Sequence, residues 1–144
     1  MPEILLAEDN AADVYLIREA LKQGGVDCLV RAATDGREVL ELISTGDSSW
    51  RPDLIILDLN LPRHDGIEVL QKLRSTGTFA NVPIVVLTSS DSPRDRDAAI
   101  ELGATRFLRK PSDLDQFLQL GAVFKELLTT AKQNQGCSSR GASI

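Results

Sequence analysis

Five polar residues share a position: each comes directly after, or within two residues of, a short apolar run. Glu8 and Asp9 follow Ile4 to Ala7, Asp58 follows Leu54 to Leu57, Thr88 follows Ile84 to Leu87, and Lys110 comes shortly after Arg106 to Leu108. If those runs are parallel strands, all five residues sit on one rim, at the strand ends where open α/β sheets bind ligands. Taken singly, each has an ordinary explanation. An Asp after a strand is most often a helix cap or a solvated loop acid, Thr88 by itself says nothing, and a Lys before Pro111 can be a surface residue beside a turn. An acidic pair, a further Asp, a hydroxyl and a lysine on successive units are hard to explain as five independent surface accidents.

The chemistry follows from the residue types. If the first and third strands are neighbours, Glu8, Asp9 and Asp58 converge, and three carboxylates so close repel one another or take up a proton unless a cation sits among them. Hard oxygen donors suit Mg²⁺, which accepts one or two carboxylates, a backbone carbonyl that Asn60 can supply, and several waters. An Asp carboxylate can also accept a phosphoryl group, provided that the charge on the transferring oxygens is met by metal and fixed donors. The Thr88 hydroxyl and the Lys110 ammonium are such donors, and the ammonium can pair with bare Asp58 before reaction.

The elements that must position these residues are legible as an alternation. Short branched runs at Ile4 to Ala7, Cys28 to Ala32, Leu54 to Leu57, Ile84 to Leu87 and Arg106 to Leu108 are separated by stretches of helical period, the pattern of a doubly wound parallel sheet covered on both faces. The first, third and fourth runs predict buried strands. Arg31, Arg106 and Arg109 assign the second and fifth to the edges. Helical stripes occur at Val14, Ile17 and Leu21, at Val39, Leu40 and Ile43, at Ile67, Leu70 and Leu73, and at Ala98, Ala99 and Leu102. Asp35-Gly36, Asp65-Gly66 and Asp91-Ser92 mark helix starts.

The last helix, roughly Ser112 to Ala131, carries apolar residues over an arc of about 220°. One sheet face does not cover such an arc, so Leu120, Val123, Phe124 and Leu127 are expected to form a homodimer or docking face. Residues 132–144 are small and polar with no apolar period and are expected to be a disordered tail.

Composition narrows the function. The chain of 144 residues, 42% hydrophobic and 26% charged, suits one domain. Its formal net charge of −5 argues against a nucleic-acid surface or a polybasic membrane patch. The longest apolar runs are far short of the roughly 20 residues of a membrane span, and no secretory signal opens the chain, so a cytoplasmic protein is expected. Cys28 and Cys137 have neither metal nor disulfide spacing and are expected to be free thiols. Trp50, Arg63 and His64 receive no role.

The stretches Ile4-Leu5-Leu6-Ala7-Glu8-Asp9-Asn10, Leu57-Asp58-Leu59-Asn60-Leu61-Pro62 through Asp65-Gly66, Leu87-Thr88-Ser89 and Lys110-Pro111 resemble the receiver domains of two-component response regulators, over about residues 2 to 129. The resemblance implies a flavodoxin-like (βα)₅ fold with strand order 2-1-3-4-5 and a receiver domain over 1–131, and the small, polar stretch after it is expected to hold no DNA-binding output domain. It implies Asp58 as the phosphorylated residue, Asp9, Asp58 and the Asn60 carbonyl as Mg²⁺ ligands, and Glu8 as a ligand through water. Thr88 and Lys110 take the donor roles, Phe107 is the aromatic switch, and the Lys110–Pro111 bond is cis. The phosphoryl donor is a histidine kinase, and partners, including a second copy, meet the surface of the fourth helix, fifth strand and fifth helix. Asp58-Leu59-Asn60-Leu61-Pro62, Leu87-Thr88-Ser89-Ser90 and Asp113-Leu114-Asp115-Gln116-Phe117 look similar to the short receivers that partner bacterial phytochrome-type kinases.

Two rival readings use the same residues. An aspartyl-phosphate phosphatase of the haloacid-dehalogenase type shares the nucleophile, hydroxyl and lysine, but such enzymes place the nucleophile after an early strand. A pure interaction scaffold has no use for a complete acceptor constellation. The expected protein is a signalling switch that catalyses its own phosphorylation and slow dephosphorylation, not a metabolic enzyme.

Overall fold

Strands that are apolar at every position need cover on both faces, and the chain meets that need by placing a helix after each strand. The computed structural model describes residues 1–44, 51–62 and 65–143. In order, the elements are β1 (Glu3–Ala7), α1 (Ala11–Gln23), β2 (Leu29–Ala33), α2 (Gly36–Ser44), β3 (Leu54–Leu57), α3 (Gly66–Ser75), a 3₁₀ turn (Gly77–Phe79), β4 (Ile84–Thr88), α4 (Pro93–Glu101), β5 (Arg106–Arg109) and α5 (Leu114–Ser143). All strand pairs are parallel, in the order β2-β1-β3-β4-β5. The fold is the doubly wound flavodoxin-like one. β3 and β4 are buried throughout, β1 nearly so, while β2 and β5 at the edges expose their arginines.

Alternation along β1 divides the core into two layers. Leu5 and Ala7 point to one face and pack with Val39, Val69, Leu70 and Ala99 under α2, α3 and α4. Ile4 and Leu6 point to the other and pack with Ile17, Leu21, Phe117 and Phe124 under α1 and α5. Helix starts are capped as short polar side chains allow: Asn10 accepts from the Asp13 N–H, Asp35 from Glu38 and Asp65 from Ile67. Ser92 caps α4 immediately before Pro93.

One expectation is corrected. The apolar arc of α5 is not an open docking face: Leu120, Phe124 and Leu127 are buried, and Val123 is partly buried against the same cluster. The reason is a helix contact that no periodicity shows. α1 and α5 lie on the same face of the sheet and meet at small residues, so closely that a Cβ on Gly121 would lie 1.9 Å from the Ala20 carbonyl oxygen. α1 therefore covers the part of the arc that the sheet leaves bare. α5 runs on beyond residue 131 as far as Ser143. No proline interrupts that stretch, and Lys132, Gln133 and Gln135 are good helix formers.

Trp50, Arg63 and His64 lie outside the described residues, as do the side chains of Ile43 and Cys137. Cys28 is a free, half-buried thiol packed against the α1/α5 core. Among the described residues, no helix is long and apolar enough to cross a membrane.

Candidate functional site

Backbone hydrogen bonds carry the strand ladders one residue past the strand ends and so fix the rim. The Glu8 N–H donates to the Ala33 carbonyl at 3.0 Å, Asp58 to Ala7 at 3.0 Å, and Lys110 to Thr88 at 2.7 Å. The loop bearing Asp58 is further held by α3, because a Cβ on Gly66 would lie 2.3 Å from the Leu59 Cα. Only glycine permits that approach, and the Gly66 N–H donates to the Leu59 carbonyl at 3.1 Å. The Lys110–Pro111 bond is trans, not the cis form that the resemblance implies. Trans is the intrinsically favoured isomer even before proline.

Among the described residues, the buried polar side chains are Glu8, Asp58 and Thr88, and all three belong to this rim. Carboxylate oxygens of Glu8, Asp9 and Asp58 lie within 4.8 Å of one another, with Asp9 on the exposed side. The Asp58 carboxylate is gripped at both oxygens: Oδ1 accepts from the Asn60 N–H at 3.0 Å and Oδ2 from Lys110 Nζ at 2.9 Å. Lys110 Nζ also lies 2.8 Å from Glu8 Oε2. Thr88 Oγ1 accepts from Asn60 Nδ2 at 3.2 Å and from the Ser90 N–H at 3.3 Å. Phe107 stands apart, on β5, partly buried against the core beneath α2, α3 and α4.

Lys110 has a third partner that sequence reasoning missed. Asp13, in the first turn of α1, accepts from Nζ at 2.8 Å. An acid in the first turn of a helix is ordinarily explained by the backbone dipole, so nothing in the chain separated Asp13 from a routine helix start. Its four-residue spacing from Asp9 was the available signal. The bond from the Asn60 side chain to Thr88 was missed as well.

Charge is unbalanced here. One ammonium faces four carboxylates, and burial pushes the Glu8 carboxyl up to about 7, helped by the Asp58 charge and opposed by Lys110 and the Asn10 N–H. Burial would raise Asp58 too, but the Asn60 N–H and the Lys110 ammonium outweigh it and hold that carboxyl below its ordinary range. The Lys110 ammonium is itself held charged, burial being overcome by Asp13, Glu8 and Asp58. A divalent cation would bring the pocket close to charge balance, and its oxygen-only donor set suits a hard ion. Glu8, Asp9 and Asp58 fit such an ion.

Residues 4–121 match the family described as the response regulator receiver domain. Among curated relatives, the chain is similar to the response regulator MprA of Mycolicibacterium vanbaalenii, 39% identical over 139 residues, which are 96% of this chain and 55% of that protein. It thus spans about half the length of that relative. Among solved structures, it is similar to the phosphorylated cyanobacterial phytochrome response regulator RcpA, with a TM-score of 0.81 and 37% identity over 89% of this chain and 94% of that one. It is also similar to the Mn²⁺-bound form of the response regulator Rcp1, with a TM-score of 0.78 and 34% identity over 87% and 92% of the two chains.

Proposed function

This chain belongs to the response regulator receiver domain family, and on that basis we propose that Asp58 is the residue that accepts a phosphoryl group from the phosphohistidine of a sensor kinase. A receiver is a signalling module that partners a histidine kinase. The observation that carries the assignment of Asp58 is its grip: a buried carboxylate with one oxygen on the Asn60 N–H and the other on Lys110, beside the carboxylates of Glu8 and Asp9.

An Asp58 oxygen bonds to phosphorus as the bond from phosphorus to the histidine nitrogen breaks, and the imidazole leaves with that electron pair. The carboxylate is already ionised, so no base is required. Lys110 gives up its contact with Asp58 to donate to one phosphoryl oxygen, and the Thr88 hydroxyl turns from Asn60 to donate to another. Mg²⁺, held by Asp9, Asp58 and the Asn60 carbonyl, with Glu8 reaching it through water, would neutralise charge on the transferring oxygens. Movement of Thr88 frees space toward β5 for Phe107 to change rotamer, altering the surface of α4, β5 and α5 that partners meet. Slow loss of the group to water resets the switch.

Similarity to two regulators of the RcpA and Rcp1 type favours a phytochrome-type kinase as the donor. Its phosphohistidine is made from cytoplasmic ATP, and we assign the chain to that compartment. A homodimer would use the α4-β5-α5 surface, with exposed Ile100 and Leu114 in place of the buried residues of α5.

The test is incubation with a small phosphodonor and Mg²⁺. An acid-stable, hydroxylamine-labile adduct is expected on the native protein and none on Asp58→Asn; undiminished labelling of that variant would show that the acceptor lies elsewhere.

A further inference from the structure

The Lys110 ammonium has three N–H bonds and spends all of them on carboxylates, at 2.8 Å from Glu8, 2.8 Å from Asp13 and 2.9 Å from Asp58. Two of those partners belong to the trio whose oxygens crowd within 4.8 Å, and Asp13 does not. The ammonium therefore competes with any divalent cation for Glu8 and Asp58. The contact with Asp13 lies outside that competition. Asp13 is also well anchored, since its backbone N–H is bound by the Asn10 cap at 3.1 Å, and the ion pair is largely shielded, with side chains 12% and 20% exposed.

We infer that Asp13 is a positioning residue for Lys110: it gives the ammonium a partner outside the cation site, so that Lys110 can yield Glu8 to a divalent ion and still remain in the pocket, within reach of oxygens carried by Asp58. The inference rests on the reading of Asp58 as a metal-assisted acceptor. Without Asp13, the lysine has only Glu8 and Asp58 to pair with and holds both more tightly against an incoming ion. When displaced, it has no fixed anion to receive it. Loss of Asp13 weakens cation binding through the lysine, although Asp13 is not itself a ligand.

The test is a double-mutant cycle with Mg²⁺ binding measured calorimetrically at a fixed alkaline pH, using the full chain, Asp13→Ala, Lys110→Met and the double variant. Asp13→Ala is expected to weaken Mg²⁺ binding about fivefold or more when Lys110 is present and less than about twofold when it is Met. Asp13→Asn, which keeps an acceptor oxygen but not the charge, is expected to lie between native and Ala and provides a second variant should Ala fold poorly. In Mg²⁺-saturated protein the Lys110 ammonium signal in nitrogen NMR is expected to persist in the native chain and to vanish by solvent exchange in Asp13→Ala.

An effect of Asp13→Ala as large in the Lys110→Met background would overturn the inference in favour of direct cation attraction. So would unchanged or tighter binding in Asp13→Ala, or a persistent ammonium signal there. Failure of the native chain itself to bind Mg²⁺ is a different result: it removes the metal-assisted acceptor reading and this inference with it.

Discussion

Lys110 Nζ lies 2.9 Å from Asp58 Oδ2, a contact between one chain end of β5 and another of β3 with both side chains nearly buried. This ammonium is the positive charge that holds the carboxylate pocket together when no metal is bound. Removing it leaves buried acids without a counter-charge, which is costlier than losing the attraction alone. Lys110→Met is therefore expected to lower stability by about 2 kcal/mol in the presence of a chelator. Mg²⁺ should restore most of it, as read from thermal melts with and without the ion. Equal melting temperatures in chelator would mean that the lysine has no such role.

The pH dependence has a definite sign. Glu8 titrates about 7 in the folded, metal-free protein against an ordinary 4.5, because burial penalises its charge. Between those values the folded chain binds a proton that the unfolded chain has released, so this group's contribution to stability falls as pH rises through that window. Asp58 works oppositely: its contribution is present above its ordinary 3.8 and is lost as pH falls through its lower folded value. Since Mg²⁺ must displace the Glu8 proton, its affinity is expected to climb from acid toward pH of about 7 and then level off. Calorimetric titration across that range checks it, and a flat profile would contradict it.

Thr88 Oγ1 serves two donors, the Asn60 amide and the Ser90 N–H. Thr88→Val keeps the shape but takes the acceptor from the Ser90 N–H, the exposed Asn60 amide still reaching Ser89, and a loss of about 1 kcal/mol is expected in urea melts. The same variant should still form the Asp58 adduct, but more slowly, in a labelling time course. Asn60→Ala should leave stability within about 0.5 kcal/mol, since Asn60 is exposed, while broadening the Thr88 methyl signal in NMR as its hydroxyl loses a fixed partner.

Helix contact is tested by glycine. A Cβ on Gly121 would be driven into the Ala20 carbonyl, whereas one on Gly77 meets nothing within 4 Å. Gly121→Ala is expected to cost about 3 kcal/mol by prying α5 from α1. Gly77→Ala should be neutral or slightly stabilising. Melting temperatures of the two variants make the comparison, and a benign Gly121→Ala would mean that α1 and α5 are not so closely apposed.

Much of the fold was legible because its signals are local. Four-residue apolar runs such as Leu54 to Leu57, bounded by turn residues, suit a strand covered on both faces, and arginines beside Leu108 suit an edge more than the centre of a sheet. The rim was legible too, since parallel strands ending in Glu8, Asp58, Thr88 and Lys110 send those residues to the same side. Pairwise contacts between elements distant in sequence were not. The apolar arc of α5 read as an open surface because nothing near Leu120 or Phe124 signals that Ala20 and Gly24 will come to meet Gly121.

The sequence by itself determined the strand and helix pattern, the edge strands and which residue types gather at the sheet's C-terminal rim, because periodicity and residue chemistry act over a few neighbours. Only the tertiary structure decided that α1 covers α5, that Asn60 holds Thr88, and that Asp13 joins Glu8 and Asp58 around one ammonium. The Lys110–Asp13 contact alone spans 97 residues, and such contacts depend on how closely packed helices and loops can approach, which no local pattern records.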